Sequence, residues 1–147
     1  MARYAFDIET NGLLDTMDTI HSLVLQDVDT GEVFSCHDGN VHMDILSGIK
    51  VLMEADQIIG HNIIKFDIPA VQKVYPWFHI DEAKVYDTLV MSRLLWGDLM
   101  DRDQRAVKAG QLEPRLRGSH GLEAWGQRLG EWKGDYSKEM KAKGLDP

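Results

Sequence analysis

The sequence predicts an α/β fold, a mixed sheet flanked by helices, and three observations carry that expectation. Three strand patterns come first, and turn chemistry at Asp29-Thr30-Gly31 folds the second and third into a hairpin. Helix and strand patterns then alternate as far as Trp96. A chain of 147 residues is long enough for one complete core and asks for no second one. An antiparallel trio followed by alternating units is the pattern of a sheet with both antiparallel and parallel neighbours.

Each element has a local cause. Residues Tyr4 to Ile8 read as a short strand. Ile20 to Val28 reads as a second, with Leu23 and Leu25 on one face and Val24 on the other, and Glu32 to Cys36 as its hairpin partner. Ile45, Leu46, Ile49, Leu52 and Met53 recur at helical spacing and predict an amphipathic helix over about residues 42 to 55. A strand at Gln57 to Gly60 follows. Ala70, Val71 and Val74 then predict a helix that tolerates Pro69 only in its first turn. Val85-Tyr86 is a strand leading into the apolar helix Leu89 to Trp96, for which Asp87 is the expected N-cap. Residues 97 to 118 are polar, contain Gly110 and Pro114, and read as a long loop or partly helical excursion. Helical spacing resumes at Leu122, Trp125 and Leu129, with Ser119 as the expected cap and Trp125 and Trp132 on one core face. The domain expectation is therefore a single unit over 1–147: a core to about 96, a basic polar loop to about 118, and a helical end region.

Composition narrows the function classes. The formal charge of −8, from 24 acids against 16 Lys and Arg, argues against duplex binding by overall electrostatics, so any nucleic-acid contact must be local. The single Cys36 excludes an internal disulfide and the usual thiolate zinc patterns. No apolar run reaches membrane-spanning length, and the N-terminus lacks the basic and apolar regions of a secretory signal. The expected location is the cytoplasm, with no membrane partner.

The chemistry-bearing residues begin with Phe6-Asp7-Ile8-Glu9-Thr10. Side chains two apart on a strand share a face, so Asp7 and Glu9 stand together, and their repulsion is offset when a cation such as Mg²⁺ or Mn²⁺ sits between all-oxygen donors. Solvated acids at an exposed strand end are the plainer alternative. Gly60-His61-Asn62-Ile63-Ile64-Lys65-Phe66-Asp67 follows the strand after the first helix, a place where ligand groups gather in open sheets. Asp67 is thereby expected to meet Asp7 and Glu9; its other reading is a helix N-cap. Three carboxylates around two cations about 3.5–4 Å apart would activate a water and stabilise the leaving oxygen of a phosphodiester.

These residues resemble a known family. Residues 6 to 13, Phe-Asp-Ile-Glu-Thr-Asn-Gly-Leu, resemble the first exonuclease motif of the DEDD superfamily, the ribonuclease-H-like proofreading nucleases, and His61-Asn62 with Phe66-Asp67 resembles the second. The segments Tyr86 to Leu94 and Gly118 to Gly126 are similar to the editing domain at the front of T-seven-like phage family A DNA polymerases. The resemblance implies a five-stranded ribonuclease-H-like sheet whose end region is incomplete. It also implies a metal-dependent 3′→5′ exonuclease in phage DNA replication, inside the infected host cell. Single-stranded or frayed DNA 3′ ends would be its substrate and a polymerase domain, attached or separate, its partner.

Carried over by position, the resemblance makes Asp7, Glu9 and Asp67 the catalytic metal ligands for two Mg²⁺ or Mn²⁺ ions. It has Thr10 and Leu13 hold or wedge the terminal nucleotide, while Asn62 and Phe66 line its cleft. Each has a plainer reading: Leu13 as core, Thr10 as a strand end, and Phe66 as packing rather than a base-stacking platform worth about 1–3 kcal/mol. Asp87 reads as a cap and His61 as structural. Arg102, Arg105, Lys108, Arg115 and Arg117 form the one positive stretch, either a track for a phosphate backbone or a solvated surface.

The family's third motif, Tyr-x-x-x-Asp or His-x-x-x-x-Asp, has no match. Tyr4, Tyr75, Tyr86 and Tyr136 are followed at the fourth position by Ile8, His79, Val90 and Met140. Asp135, Glu123 and Glu131 are the remaining acids near the end, and their spacing favours none of them. The expectation is a chain that is weak or inactive by itself unless another polypeptide or a longer parent supplies the fourth carboxylate. Two alternatives stand beside the nuclease: a non-catalytic module that binds a single-stranded DNA 3′ end or a replication partner, and an RNA-directed exonuclease.

Overall fold

A computed structural model describes residues 1–131, divided into two compact units, 1–91 and 92 onward. Trp132, Tyr136, Asp135 and the rest of the expected C-terminal helical region lie outside the described residues.

The first unit is a five-stranded mixed sheet with helices, as the sequence predicts. Its strands are β1 (Arg3–Thr10), β2 (Ile20–Asp27), β3 (Val33–Cys36), β4 (Gln57–Gly60) and β5 (Val85–Asp87). They lie in the order β3-β2-β1-β4-β5. β1 and β2 run antiparallel, as do β2 and β3, while β4 pairs in parallel with β1 on one side and β5 on the other. Alternation sets the faces: Phe6 and Ile8 are buried opposite Leu25 and Leu23, whereas Asp7 and Glu9 project to the exposed face. The ladder between β1 and β4 is short. It joins Arg3, Tyr4 and Ala5 to Gln57, Ile58 and Ile59, and β1 continues beyond it paired on its β2 side alone.

Helix α1 (Ile45–Glu54) starts where Asp44 accepts the Ser47 amide, and it buries Ile45, Ile49 and Leu52. Its Gly48 admits the sheet closely, because a β-carbon there would lie 2.5 Å from Leu23 and 2.7 Å from the Cys36 sulfur. Helix α2 (Asp67–Val74) carries Pro69 in its first turn, as expected, and buries Ala70 and Val71. Helix α3 (Thr88–Leu95) follows β5. Its apolar residues Val90, Met91, Leu94 and Leu95 are exposed and only Ser92 is buried, which its hydrophobic sequence does not suggest.

In the second unit the polar stretch after residue 97 contains a regular helix, α4 (Leu99–Lys108), and a 3₁₀ turn at Pro114–Leu116. Helix α5 (Leu122–Leu129) begins at Gly121 rather than at a Ser119 cap; the Ser119 hydroxyl accepts the Gly121 amide instead. Leu112, Leu116 and Ala124 make a small core flanked by Ala106 and Val107. Leu122 and Leu129 are exposed, so the spacing that marks the helix does not mark its buried face, which is set by Ala124. A buried ion pair braces this unit: Asp103 accepts Arg128 Nε at 2.9 Å and Nη2 at 2.7 Å, and also the Gly118 amide. Arg128 lies over the Trp125 ring, whose Nε1 donates to the buried Ser92 hydroxyl at 2.7 Å. No described helix is long and apolar enough to cross a membrane.

Candidate active site

The site grows out of the shortness of the β1–β4 ladder. Beyond Ala5, the Ile8 amide on the β4 side of β1 has no strand partner, and the Asp67 carboxylate, carried on the first turn of α2, accepts it at 3.3 Å. Asp67 is therefore not the N-cap of α2. That position falls to Phe66, which makes no side-chain cap bond. Asp67 is buried and stands near enough to Asp7 for the two charges to interact. Burial first, and then the Asp7 charge, pushes its pKa up to about 7, against the pull of the Ile8 amide.

Asp7 and Glu9 share the exposed face of β1, as the alternation requires, and the strand bulges at Glu9/Thr10. The three acids do not close into a common donor set: among the described residues no group of three or more His, Cys, Asp or Glu side chains is arranged to hold a metal ion. Glu9 is exposed to solvent whereas Asp67 is buried, so the two acids stand in different surroundings. In chemical type the donors suit a hard divalent cation, being all oxygen and carrying a repulsion that such an ion relieves.

The loop between β4 and α2 is held from one side by a residue whose second role was not legible in the sequence. Asp87 ends β5, is buried, and accepts four backbone amides. Two belong to α3, Leu89 at 2.9 Å and Val90 at 3.4 Å, and make Asp87 the cap the sequence predicts. The other two are Asn62 at 2.9 Å and Ile64 at 3.0 Å, in the loop itself. Asn62 has φ +67°, a left-handed conformation that Asn tolerates and most residues resist. Gly60, just before, has no room for a side chain: a β-carbon would fall 2.2 Å from Ile63 and 3.1 Å from the Phe6 carbonyl oxygen. His61 Nδ1 shares a hydrogen bond of 2.9 Å with Thr88 Oγ1, which itself donates to the Gly60 carbonyl. Phe66 is half-buried against the core. That contact favours its packing reading.

The loop from Asn11 to Thr19 follows β1. The Asn11 side chain accepts the Asp18 and Thr19 amides and donates to the Asp18 carboxylate. Lys73, in the last turn of α2, donates to the Leu14 and Asp15 carbonyls. Met17 is buried beneath, while Leu13 is 74% exposed, so Leu13 is not core. Thr10 ends β1 and its hydroxyl donates to the Gly12 carbonyl at 2.8 Å.

The basic residues belong to the second unit. Arg102 pairs with Asp98, Arg115 with Glu113 and Glu123, and Arg117 donates to the Met100 carbonyl. These pairings support a surface that is partly neutralised internally. Arg105 and Lys108 are exposed on α4. Glu123 is engaged with Arg115, and Glu131 ends the described residues.

Over 142 aligned residues, 92% of the chain, the sequence is 37% identical to the DNA-directed DNA polymerase of Escherichia phage T7. It matches that of Enterobacteria phage T3 to the same extent. The chain spans about one fifth of the length of these relatives, 20% in each case. A solved structure described as the apo form of a nuclease aligns with 97% of this chain and 75% of its own, with 18% identity and a TM-score of 0.50, and supports the fold. No family model matches the chain.

Proposed function

We infer that this chain, a homologue of one fifth of the T7 and T3 DNA polymerases with a ribonuclease-H-like exonuclease fold, is a metal-dependent 3′→5′ exonuclease domain. Its substrate is the 3′ end of single-stranded or mismatched DNA, its context phage replication in the infected host's cytoplasm, and its partner a DNA polymerase domain, joined or separate. One observation carries the reading: the Asp67 carboxylate is anchored to the Ile8 amide beside Asp7, an acid pair assembled where the sheet parts.

In this reading Asp7 and Asp67 hold a divalent cation, Mg²⁺ or Mn²⁺, and Glu9, on the Asp7 face, is the third donor. The cation, when bound, supplies activation of water and stabilisation of the departing oxygen. The residues of the chain do the rest. The Ile8 amide fixes one oxygen of Asp67, so the carboxylate enters the reaction already oriented. Asp67, with its pKa near 7, must give up its proton before it can serve as a ligand. Leu13, exposed on a braced loop, meets the apolar face of the terminal nucleotide. Thr10 and Asn62 supply polar contacts to its sugar and phosphate, and Phe66 backs the loop that leads to Asp67.

The test is a time course with 5′-labelled single-stranded DNA in Mn²⁺ and in Mg²⁺, parent against Asp7→Ala, with matched RNA as a third arm. A ladder that shortens from the 3′ end only with the parent supports the reading. Degradation that persists in Asp7→Ala overturns it, and a preference for RNA redirects it to RNA ends.

A second reading is favoured by a specific observation, the absence among the described residues of a three-donor acidic group. It makes the chain a non-catalytic module that binds DNA 3′ ends or a replication partner. Tight single-strand binding with no turnover in either metal is its signature.

A further inference from the structure

Asp87 does more than cap a helix. An aspartate at a helix start caps it by accepting amides of the first turn, here those of Leu89 and Val90. Here the same carboxylate reaches across to the loop after β4: Oδ1 also accepts the Asn62 amide, and Oδ2 accepts the Ile64 amide. Both oxygens are thus committed to backbone donors. Charge-assisted hydrogen bonds of this kind are among the stronger contacts a backbone can make.

The two loop amides it holds flank Ile63, which is buried against the core, and the segment then runs through Phe66 to Asp67. Asn62 sits at φ +67°, a left-handed conformation that Asn tolerates better than most residues and that the neighbouring contacts fix in place. The holding contacts are Asp87 on its amide and, two residues back, the close approach of Gly60 to Phe6 and Ile63.

We propose that Asp87 is a positioning residue for the nuclease site: by clamping the Asn62 and Ile64 amides it fixes the loop that presents Asn62 to the terminal nucleotide and delivers Asp67 to Ile8. The proposal rests on the exonuclease reading for its functional consequence, while the clamp itself can be read without any substrate. It assigns Asp87 a contribution to substrate binding and rate that a plain helix cap would not have.

Two substitutions separate the roles. Asp87→Ser keeps a hydroxyl that caps α3 but is too short to reach both loop amides. Asp87→Asn keeps an oxygen for Asn62 and Leu89 and turns an N–H toward Ile64, breaking that bond alone. On the full chain, amide exchange is followed at Asn62, Ile64, Leu89 and Val90, together with the affinity for a single-stranded oligonucleotide in Ca²⁺ and the exonuclease rate in Mn²⁺. The expected result for Asp87→Ser is exchange at least tenfold faster at Asn62 and Ile64 with little change at Leu89, and oligonucleotide affinity and rate each down about tenfold. Asp87→Asn should speed exchange at Ile64 selectively. Unchanged loop exchange overturns the clamp. Faster loop exchange with parental affinity and rate overturns its functional role. A parent that neither binds nor cuts DNA overturns the exonuclease reading and the functional half with it, while the exchange pattern still decides the clamp.

Discussion

Asp67 is joined to β1 by a single bond, its carboxylate accepting the Ile8 amide at 3.3 Å, and beside it the Asp7 charge works against its own. The pair is thus fixed in place and electrostatically unfavourable at once. Burial and Asp7 raise the folded-state pKa of Asp67 to about 7, above the ordinary carboxylate range. For a carboxyl group whose folded pKa lies above its unfolded value, the folded state holds the proton more tightly. Its stabilising contribution is therefore complete below the unfolded pKa and is lost as pH rises toward 7.

Stability measured by urea unfolding should accordingly fall for the parent, relative to Asp67→Asn, between about pH 4 and pH 7, and then level off. Each tenfold difference in proton affinity is worth about 1.4 kcal/mol, so the divergence should reach a few kcal/mol. Asn keeps an oxygen for the Ile8 amide and removes the charge. Parallel pH profiles for the two proteins would contradict this account of Asp67.

Divalent cations should invert that trend. If Asp7 and Asp67 hold the ion, Mn²⁺ competes with the Asp67 proton, so its stabilising effect on thermal unfolding should be small at pH 5 and grow through pH 7. Asp7→Ala should abolish it. A shift with Mn²⁺ that is the same at pH 5 and pH 8 would place the ion elsewhere.

Gly60→Ala should destabilise the first unit by about 1–3 kcal/mol, the usual cost of forcing extra volume into a packed site. The new methyl would sit 2.2 Å from Ile63 and 3.1 Å from the Phe6 carbonyl oxygen, a backbone atom that cannot swing away. Gly97→Ala is the control, because nothing lies within 4 Å of a β-carbon there. Denaturation midpoints that coincide for the two variants would count against the packing described for Gly60.

In the second unit, Asp103→Ala leaves Arg128 buried without its carboxylate. Breaking a buried pair in this way costs about 3–5 kcal/mol, and the Gly118 amide loses its acceptor too. The Arg128 guanidinium beside Asp103 holds that carboxyl below the usual range, a shift of opposite sign to that of Asp67, so this contribution is present at neutral pH and is lost on acidification. Chemical unfolding at pH 7 and pH 3, parent against variant, should show the difference shrinking at the lower pH.

Leu13→Ala tests the substrate side. The side chain is 74% exposed, so stability should stay within about 0.5 kcal/mol of the parent. Binding of a single-stranded 3′ end, followed by fluorescence anisotropy in Ca²⁺, should weaken several-fold. Unaltered affinity would remove Leu13 from the nucleotide contacts.

What the sequence made legible were the features with a local cause. Alternation put Phe6 and Ile8 inside and Asp7 and Glu9 outside; helical spacing found Ile45, Ile49 and Leu52; and a short polar residue before an apolar run identified Asp87 as a cap. What escaped depends on contacts between distant segments. The loop amides held by Asp87 lie 25 and 23 positions away, and Asp103 and Arg128 are 25 apart, spacings that carry no periodic signal. The spacing of Leu122 and Leu129 marks a helix, yet both are exposed, because helical period identifies a helix without fixing which side faces the interior. Strand order leads one to expect Asp67 beside Asp7 and Glu9, and Asp67 does feel the Asp7 charge; that the three acids do not close into one donor group among the described residues depends on side-chain placement, which leaves no trace in a motif.

The incomplete ladder between β1 and β4 has a wider meaning. β4 accompanies β1 for only three residue pairs and then departs, leaving a gap that an acidic side chain fills. One further rung of hydrogen bonding would tighten the sheet and, in the same stroke, seat main chain where Asp67 now enters. On the exonuclease reading, strand length is a functional variable in this chain, as consequential as the identity of any acid. A variant selected purely for a firmer sheet would be expected to gain that rung and fall silent, so selection for sturdiness and selection for chemistry pull on the same few atoms from opposite sides.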